Sequence, residues 1–342
     1  HDVQLIPSLH ASCMAAGCVD EDTFDYLQKK FIWRYKMTEY LPEGCLIGTA
    51  DNRSSLLSYY TLSECMTSGK ILEAPCIICD SHHNLILDLG CMKGFIPREE
   101  GALGITEGTT KDIALISRVN KPVAFVITDF RENENGETYA VLSRRLAQER
   151  CMRDYLGSLT SGDIIPARVT HLEPFGCFVD VGCGIPSLIP IDMISVSRIT
   201  HPKDRFSVGQ NIHVVVKSVD NGRICLSHKE LLGTWQENAS LFEPGETVTG
   251  IVRSIEEYGI FVELTPNLAG LAELREDVHV NDCASVYIKA INPEKMKIKL
   301  IIVNTSSETY RDNELKYFLT SGHIDRWRYS TDESPKLIET IF

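Results

Sequence analysis

The sequence predicts a mainly β protein built from tandem five-stranded barrels with short helical connectors. Three observations carry that reading. Between Gly162 and Leu231, Phe175-Gly176-Cys177-Phe178 sets two aromatic rings either side of a glycine on an expected strand. Val214–Val219 and Arg223–Ser227 read as two further strands. Asp220-Asn221-Gly222 between them is a strong hairpin signal, because both central residues of a type I′ turn need positive φ. The pattern then recurs: Pro244-Gly245-Glu246 opens a second copy 83 residues after Gly162, and Tyr258-Gly259-Ile260-Phe261 repeats the ring pair. A small antiparallel barrel that presents rings and a cation together is a stacking platform for single-stranded nucleic acid.

Taken in order, residues 1–67 read as a helical and irregular segment. Asp22–Lys36 places Phe24, Leu27, Phe31, Ile32 and Tyr35 at helical spacing, with Asp20 or Asp22 as N-cap. That stripe is expected to pack on a neighbouring domain. Met37 opens the alternative that residues 1–36 are an extension ahead of the true initiator. Residues 68–145 read as a degenerate first barrel. Ile71–Cys79, Leu85–Gly90 and Gly94–Pro97 supply its early strands; Val123–Phe130 and Tyr139–Arg145 close it around Glu134-Asn135-Gly136. Aligning Gly90 with Gly182 puts His83 and Ile86 at the ring positions and Tyr139 at the position of Arg223. The core pattern survives there while the platform does not, so this copy is expected to make protein contacts.

Residues 146–161 form a helical linker, part of a helix expected from Ser143 to Leu159 with Leu146, Met152 and Leu156 on its packed face. Residues 162–231 are the second barrel. Residues 232–243 link it to the third, with Trp235 expected as a wedge between the two. Residues 244–304 are the third barrel. Residues 305–342 form a tail with a possible hairpin around Ser321-Gly322. The tail's His323, Arg326, Trp327, Arg328 and Tyr329 read more readily as a cap on the third barrel than as a base-stacking cluster. Lys336–Phe342 reads as a short apolar strand with no partner identified.

The second copy resembles the S-one RNA-binding domain, the OB-fold repeat of the bacterial small-subunit ribosomal protein S-one family. Gly162-Asp163, Phe175-Gly176-Cys177-Phe178-Val179-Asp180 and Arg223-Ile224-Cys225-Leu226-Ser227-His228-Lys229 carry the resemblance. Arg198-Ile199-Thr200-His201-Pro202 and Val208-Gly209-Gln210 extend it through the loop between them. The resemblance implies binding of single-stranded RNA, mRNA or rRNA, with the small ribosomal subunit as partner and a role in translation. In that family the RNA face carries two aromatics on the second strand, a histidine on the third, and an aspartate and an arginine at the last hairpin. Carried over, these are Phe175, Phe178, Asp220 and Arg223, with His201 as a further candidate. Pro190 stands at the histidine position, which removes one donor and one ring. In the third barrel the corresponding residues are Tyr258, Phe261, Asn292 and Lys297, while Glu273 at the histidine position repels phosphate. The resemblance also implies that N-terminal repeats serve for docking.

A net charge of −13 weighs against strong non-specific nucleic-acid binding, since phosphate contacts need cations. Residues 162–231 are nevertheless neutral, with seven Lys/Arg against seven Asp/Glu, whereas residues 245–304 carry six against nine. The middle barrel is therefore the least repelled from RNA. No run of about 18 apolar residues is present to span a membrane, and the N-terminus lacks the basic-then-apolar order of a signal peptide. Twelve cysteines in that context read as reduced cytoplasmic thiols. Cys76, Cys79, His82 and His83 have zinc-ligand chemistry. On strands, however, residues three apart point to opposite faces, which favours buried small hydrophobes and no metal. No cofactor and no small-molecule substrate are expected. Three barrels leave no room for a separate catalytic domain, and neither a phosphate-binding glycine loop nor a His-Glu-x-x-His motif occurs, so an enzyme is not expected. The competing account is a protein-docking scaffold, or a regulator of RNA metabolism, with weak or lost RNA affinity.

Overall fold

The computed structural model describes residues 39–220, 223–307 and 315–342. The helix expected over Asp22–Lys36 and the Asn221-Gly222 turn tip lie outside the described residues. The chain divides into two units, one comprising residues up to Ser158 with Gly182–Gly184, the other the remainder.

In the first unit two short helices, α1 (Ala50–Ser55) and α2 (Tyr59–Ser68), precede a barrel. A capping box between Ser58 and Thr61 starts α2, and Gly69 ends it in the left-handed conformation at φ 67°. Leu62 and Cys65 on its inner face join the barrel core. Strands β1 (Leu72–Cys79), β2 (Leu85–Asp88), β3 (Lys93–Ile96), β4 (Pro122–Glu132) and β5 (Thr138–Ser143) close in the order β1-β2-β3-β5-β4. Short α3 (Ile113–Ile116) lies between β3 and β4. Leu72, Ala74 and Cys76 of β1 and Leu85 and Leu87 of β2 are buried, as period-two alternation dictates.

Helix α4 (Arg144–Arg150) follows β5 directly and opens into a π-helical turn, Cys151–Tyr155. Its inward stripe is Arg144, Ala147, Gln148 and Cys151. Of the expected face Leu156 is buried, but Leu146 and Met152 are half-buried. Two polar residues take the inner positions because their partners are inside. Arg144 pairs with Glu43 at 2.7 Å, and the Leu103 N–H donates to Gln148 at 2.9 Å. Burial opposes the Glu43 charge, but the guanidiniums of Arg144 and Arg118 outweigh it and hold the carboxyl below its ordinary range.

The second unit holds two barrels. Barrel 2 is β6 (Asp163–Glu173), β7 (Gly176–Asp180), β8 (Pro186–Pro190), β9 (Asn211–Asp220) and β10 (Arg223–Ser227). Helix α5 (Trp235–Ala239) leads to barrel 3: β11 (Thr247–Glu256), β12 (Gly259–Thr265), β13 (Leu268–Ala272), β14 (Cys283–Asn292) and β15 (Lys297–Ser306). All three barrels are five-stranded and closed, and they are mixed rather than wholly antiparallel. The third and fifth strands of each run parallel, pairing Phe95 with Val141, Leu188 with Cys225, and Leu271 with Lys299. The long connection after each third strand crosses the barrel before the last hairpin, and this brings the fifth strand back parallel to the third.

Barrels 2 and 3 share a seam. Ile164, Val215 and Leu231 cluster with Trp235 and with barrel-3 residues including Val252 and Val286. Within it Asn267 is fully used: its side chain donates at 2.8 Å to the carbonyls of both Lys229 and Gly233 and accepts from the Val196 N–H at 3.0 Å. Glu263 is buried against Arg205 and, at 2.8 Å, Arg253. The residue after the last strand of barrel 2 is His228, at the position Arg144 holds after β5. Its Nδ1 lies 2.8 Å from the Ile194 carbonyl, which can only accept, so Nδ1 carries the proton. Nε2 then accepts from the Tyr317 hydroxyl at 3.1 Å. Burial pushes this imidazole down to about 4.

The tail differs from expectation. Gly322 does not turn; β16 (Gly322–His323) adds to the edge of β6, and the hairpin forms further on between β17 (Arg326–Arg328) and β18 (Glu339–Ile341). The 336–342 arm thus finds its partner within the tail. Trp327 and Tyr329 are buried with the barrel-3 core, and the Tyr329 hydroxyl donates to the Asn267 carbonyl at 2.6 Å. Among the described residues no helix is long and apolar enough to cross a membrane.

Candidate nucleic-acid interface

Phe178 lies on β7, flanked by Leu188 on β8 and His171 on β6. Phe175 is not on the strand as expected. It sits in the tight turn from β6 to β7, where its carbonyl accepts from the Ile191 N–H at 3.0 Å. Residues three apart on one strand point to opposite faces, but a residue three positions before Phe178 reaches the same face once it is off the strand. The two rings meet edge to face, 6.0 Å apart at 90°. Phe175 is 56% exposed. The glycine between them serves close approach, since a Cβ on Gly176 would lie 2.5 Å from the Ile189 carbonyl oxygen. The register shift on this hairpin falls on β6, between Val169 and His171, and not at the glycine.

Barrel 3 repeats the arrangement. Tyr258, 70% exposed, and Phe261 stand 6.0 Å apart at 88°. Gly259 adopts φ 150°, and a Cβ there would meet the Ala272 carbonyl at 2.6 Å. Asp220 and Arg223 are exposed cross-strand partners at the end of the β9–β10 hairpin. Lys297 takes the Arg223 position opposite Asn292, and both cations are without an ion pair among the described residues. Pro190 pairs with Gly176 beside the rings, and exposed Glu273 follows Ala272, the partner of Ile260.

His201 sits elsewhere, in the β8–β9 connection. Its Nδ1 accepts from the Lys203 N–H at 3.1 Å and so caps the single turn Pro202–Asp204. Two residues were missed by sequence reasoning. His171 lies across from Phe178, supplying an imidazole on the side opposite Pro190, with Glu173 2.9 Å from its Nε2. The β6 irregularity hides it, because the shift breaks the parity by which alternation assigns faces. Lys299, paired with Leu271 next to Phe261, was legible as an exposed position once β15 alternated.

In barrel 1, His83 occupies the turn at φ 64°, with its Nε2 3.8 Å from Asp112, and Ile86 is half-buried on β2. Cys76 is buried in the core and Cys79 half-buried, while His82 is exposed. Among the described residues no group of three or more His, Cys, Asp or Glu gathers as metal ligands would.

Residues 158–229, which include all of barrel 2, match the family model of the S1 RNA binding domain. The chain is 30% identical over 236 residues to the "Small ribosomal subunit protein bS1 homolog" of Bacillus subtilis (strain 168), covering 66% of this chain and 57% of that one. It is 29% identical over 256 residues to the "Small ribosomal subunit protein bS1" of Staphylococcus aureus (strain COL), covering 73% and 62%. A Bacillus cereus homolog of bS1 is 29% identical over 263 residues, covering 73% and 64%. The chain thus spans about three-fifths of the length of these relatives. The S1 RNA binding domain match falls on barrel 2, and the barrels either side of it repeat its strand order.

Proposed function

We propose that the chain binds single-stranded RNA on the ring platforms of barrels 2 and 3 and works with the small ribosomal subunit, in translation or mRNA binding. One observation carries this reading. Both barrels present an edge-to-face aromatic pair at 6.0 Å, with an uncommitted cation on the same sheet. Every base has a π-face, so stacking of this kind tolerates sequence. An acidic chain with few cations near the rings favours flexible strands held by stacking over duplexes held by charge. Barrel 2 is the stronger binder, being neutral and having His171 beside Phe178. Barrel 3 binds more weakly, with Glu273 at its edge and a net charge of −3 over residues 245–304. The work is binding and not catalysis.

Ribosome association draws its support from the names of the relatives. Sucrose-gradient sedimentation with and without ribonuclease tests it, the expected result being co-migration with the small subunit that ribonuclease weakens. A chain that stays at the top of the gradient yet binds short oligonucleotides keeps the RNA reading and loses the ribosomal one. The second reading, a docking scaffold, is favoured by Pro190 and Glu273 at the platform edges. It requires that pyrimidine-rich oligonucleotides give no anisotropy change.

A further inference from the structure

Barrel 1 has no rings at the positions used by its neighbours, yet it carries a ring pair of its own. Phe95 on β3 and Tyr139 on β5 stand 6.2 Å apart at 79°. The geometry nearly repeats the 6.0 Å pairs of barrels 2 and 3. It also lies on the corresponding face. Ile86 pairs with Phe95 and Phe95 with Val141, just as Phe178 pairs with Leu188 and Leu188 with Cys225. Tyr139 stands where Arg223 stands in barrel 2. The pair has moved from the second strand and the turn before it to the third and fifth strands.

A hollow of about 600 Å³ opens over it, lined among others by Ile86, Met92, Lys93, Phe95, Thr138 and Tyr139. That volume is within the range of small-ligand sites. The Tyr139 and Thr138 hydroxyls and the Lys93 ammonium have no hydrogen-bond partner among the described residues. On the rim Asn133 is bonded to Glu137 at 2.9 Å. One cation, Lys93, beside one carboxylate, Glu137, does not track a phosphate backbone. Flat ring surface with neutral donors suits a neutral, aromatic, polar-edged ligand.

We propose that this hollow takes a single unpaired nucleobase of RNA, stacked on the Phe95–Tyr139 pair with its edge on the Tyr139 and Thr138 hydroxyls. The proposal rests on the RNA reading of barrels 2 and 3, and the test separates the two. The full chain is irradiated with a pyrimidine-rich oligonucleotide containing 4-thiouridine, and adducts are mapped by peptide mass spectrometry. Adducts are expected on the peptides that hold Phe95 and Tyr139 as well as on those of barrels 2 and 3. Tyr139→Leu should lower the barrel-1 adducts about fivefold or more, the loss of one stack. Tyr139→Phe, which keeps the ring, should retain most of them. Adducts on barrels 2 and 3 alone overturn this inference, leave the RNA reading standing, and turn the hollow into a protein contact. Adducts on none of the three overturn both.

Discussion

Barrels 1 and 2 share strand order and cross-strand register, and they differ almost wherever a side chain leaves the core. At the ring positions barrel 2 has Phe175 and Phe178 where barrel 1 has His83 and Ile86; at the glycine position barrel 2 has Gly176 where barrel 1 has Asn84. After the last strand barrel 2 buries a neutral His228 against Tyr317, and barrel 1 buries Arg144 against Glu43. The inward alternation is common to both, for instance Leu85 and Leu87 in one and Cys177 and Val179 in the other. A barrel of this kind is specified by its inner residues and leaves its outer face free to change. Topology therefore says nothing about which barrel binds.

The largest test of that difference is on the rings. Phe175→Ala with Phe178→Ala should cost about 1–3 kcal/mol of RNA binding per lost stack while the far-ultraviolet circular dichroism stays the same. Fluorescence anisotropy with a short pyrimidine-rich RNA measures it. Unchanged affinity would mean that barrel 2's outer rings are as dispensable as the isoleucine in their place in barrel 1.

Acid should separate the two units next. The His228 pKa falls from 6.5 unfolded to about 4 folded, so the unfolded state binds the extra proton between those values. Its contribution, on the order of 3 kcal/mol, is fully present above pH 6.5 and is lost as pH falls toward 4. Glu43 is depressed below 4.5, so the first unit keeps its ion pair until lower pH. Thermal melts from pH 7 to 4.5 should soften the second unit first, and His228→Leu should flatten its pH slope. A slope that His228→Leu leaves unchanged sinks the assignment.

A smaller effect is expected at the glycine. Gly176→Ala drives a methyl against the Ile189 carbonyl and should cost about 1–3 kcal/mol of stability, read as a lowered Tm. The smallest is at the hairpin. Arg223→Ala should weaken binding modestly and reduce the slope of log affinity against log salt by about one. A slope for the parent chain corresponding to many more than about two to four phosphates would reveal a basic surface elsewhere.

Much of the fold was legible because strand alternation and the recurring ring-glycine-x-ring motif are local signals. Losses came where a local rule met a tertiary one. Phe175 and Phe178 read from sequence as one strand, whereas a tight turn aims the first ring and Gly176 admits the neighbouring Ile189 carbonyl. His171 was invisible because a one-residue shift on β6 inverts the faces beyond it. Phe95 and Tyr139 lie 44 residues apart on strands that pair only across the barrel closure, and no motif window spans them. On α4 and the turn after it the apolar reading holds at Leu156 but not at Leu146, because Arg144 and Gln148, with partners inside, take the inner stripe. In the tail Gly322 resembled a turn and serves instead as an added edge strand.

The seam between barrels 2 and 3 has a consequence for how strongly a long ligand is held. Glu263 with Arg205 and Arg253, Asn267 with its three side-chain bonds, and Trp235 among the apolar residues of both barrels leave little freedom between the two. Under the proposed RNA reading, two weak platforms on one stiff body would act as a bivalent reader. A strand stacked on one would then meet the other at an effective concentration set by the span between them, in the millimolar range for short flexible spans. Oligonucleotides too short to bridge the platforms would show the modest affinity of a single pair of rings. Beyond the bridging length affinity would rise steeply and then level off. The protein would thus select for length of unstructured RNA rather than for its sequence.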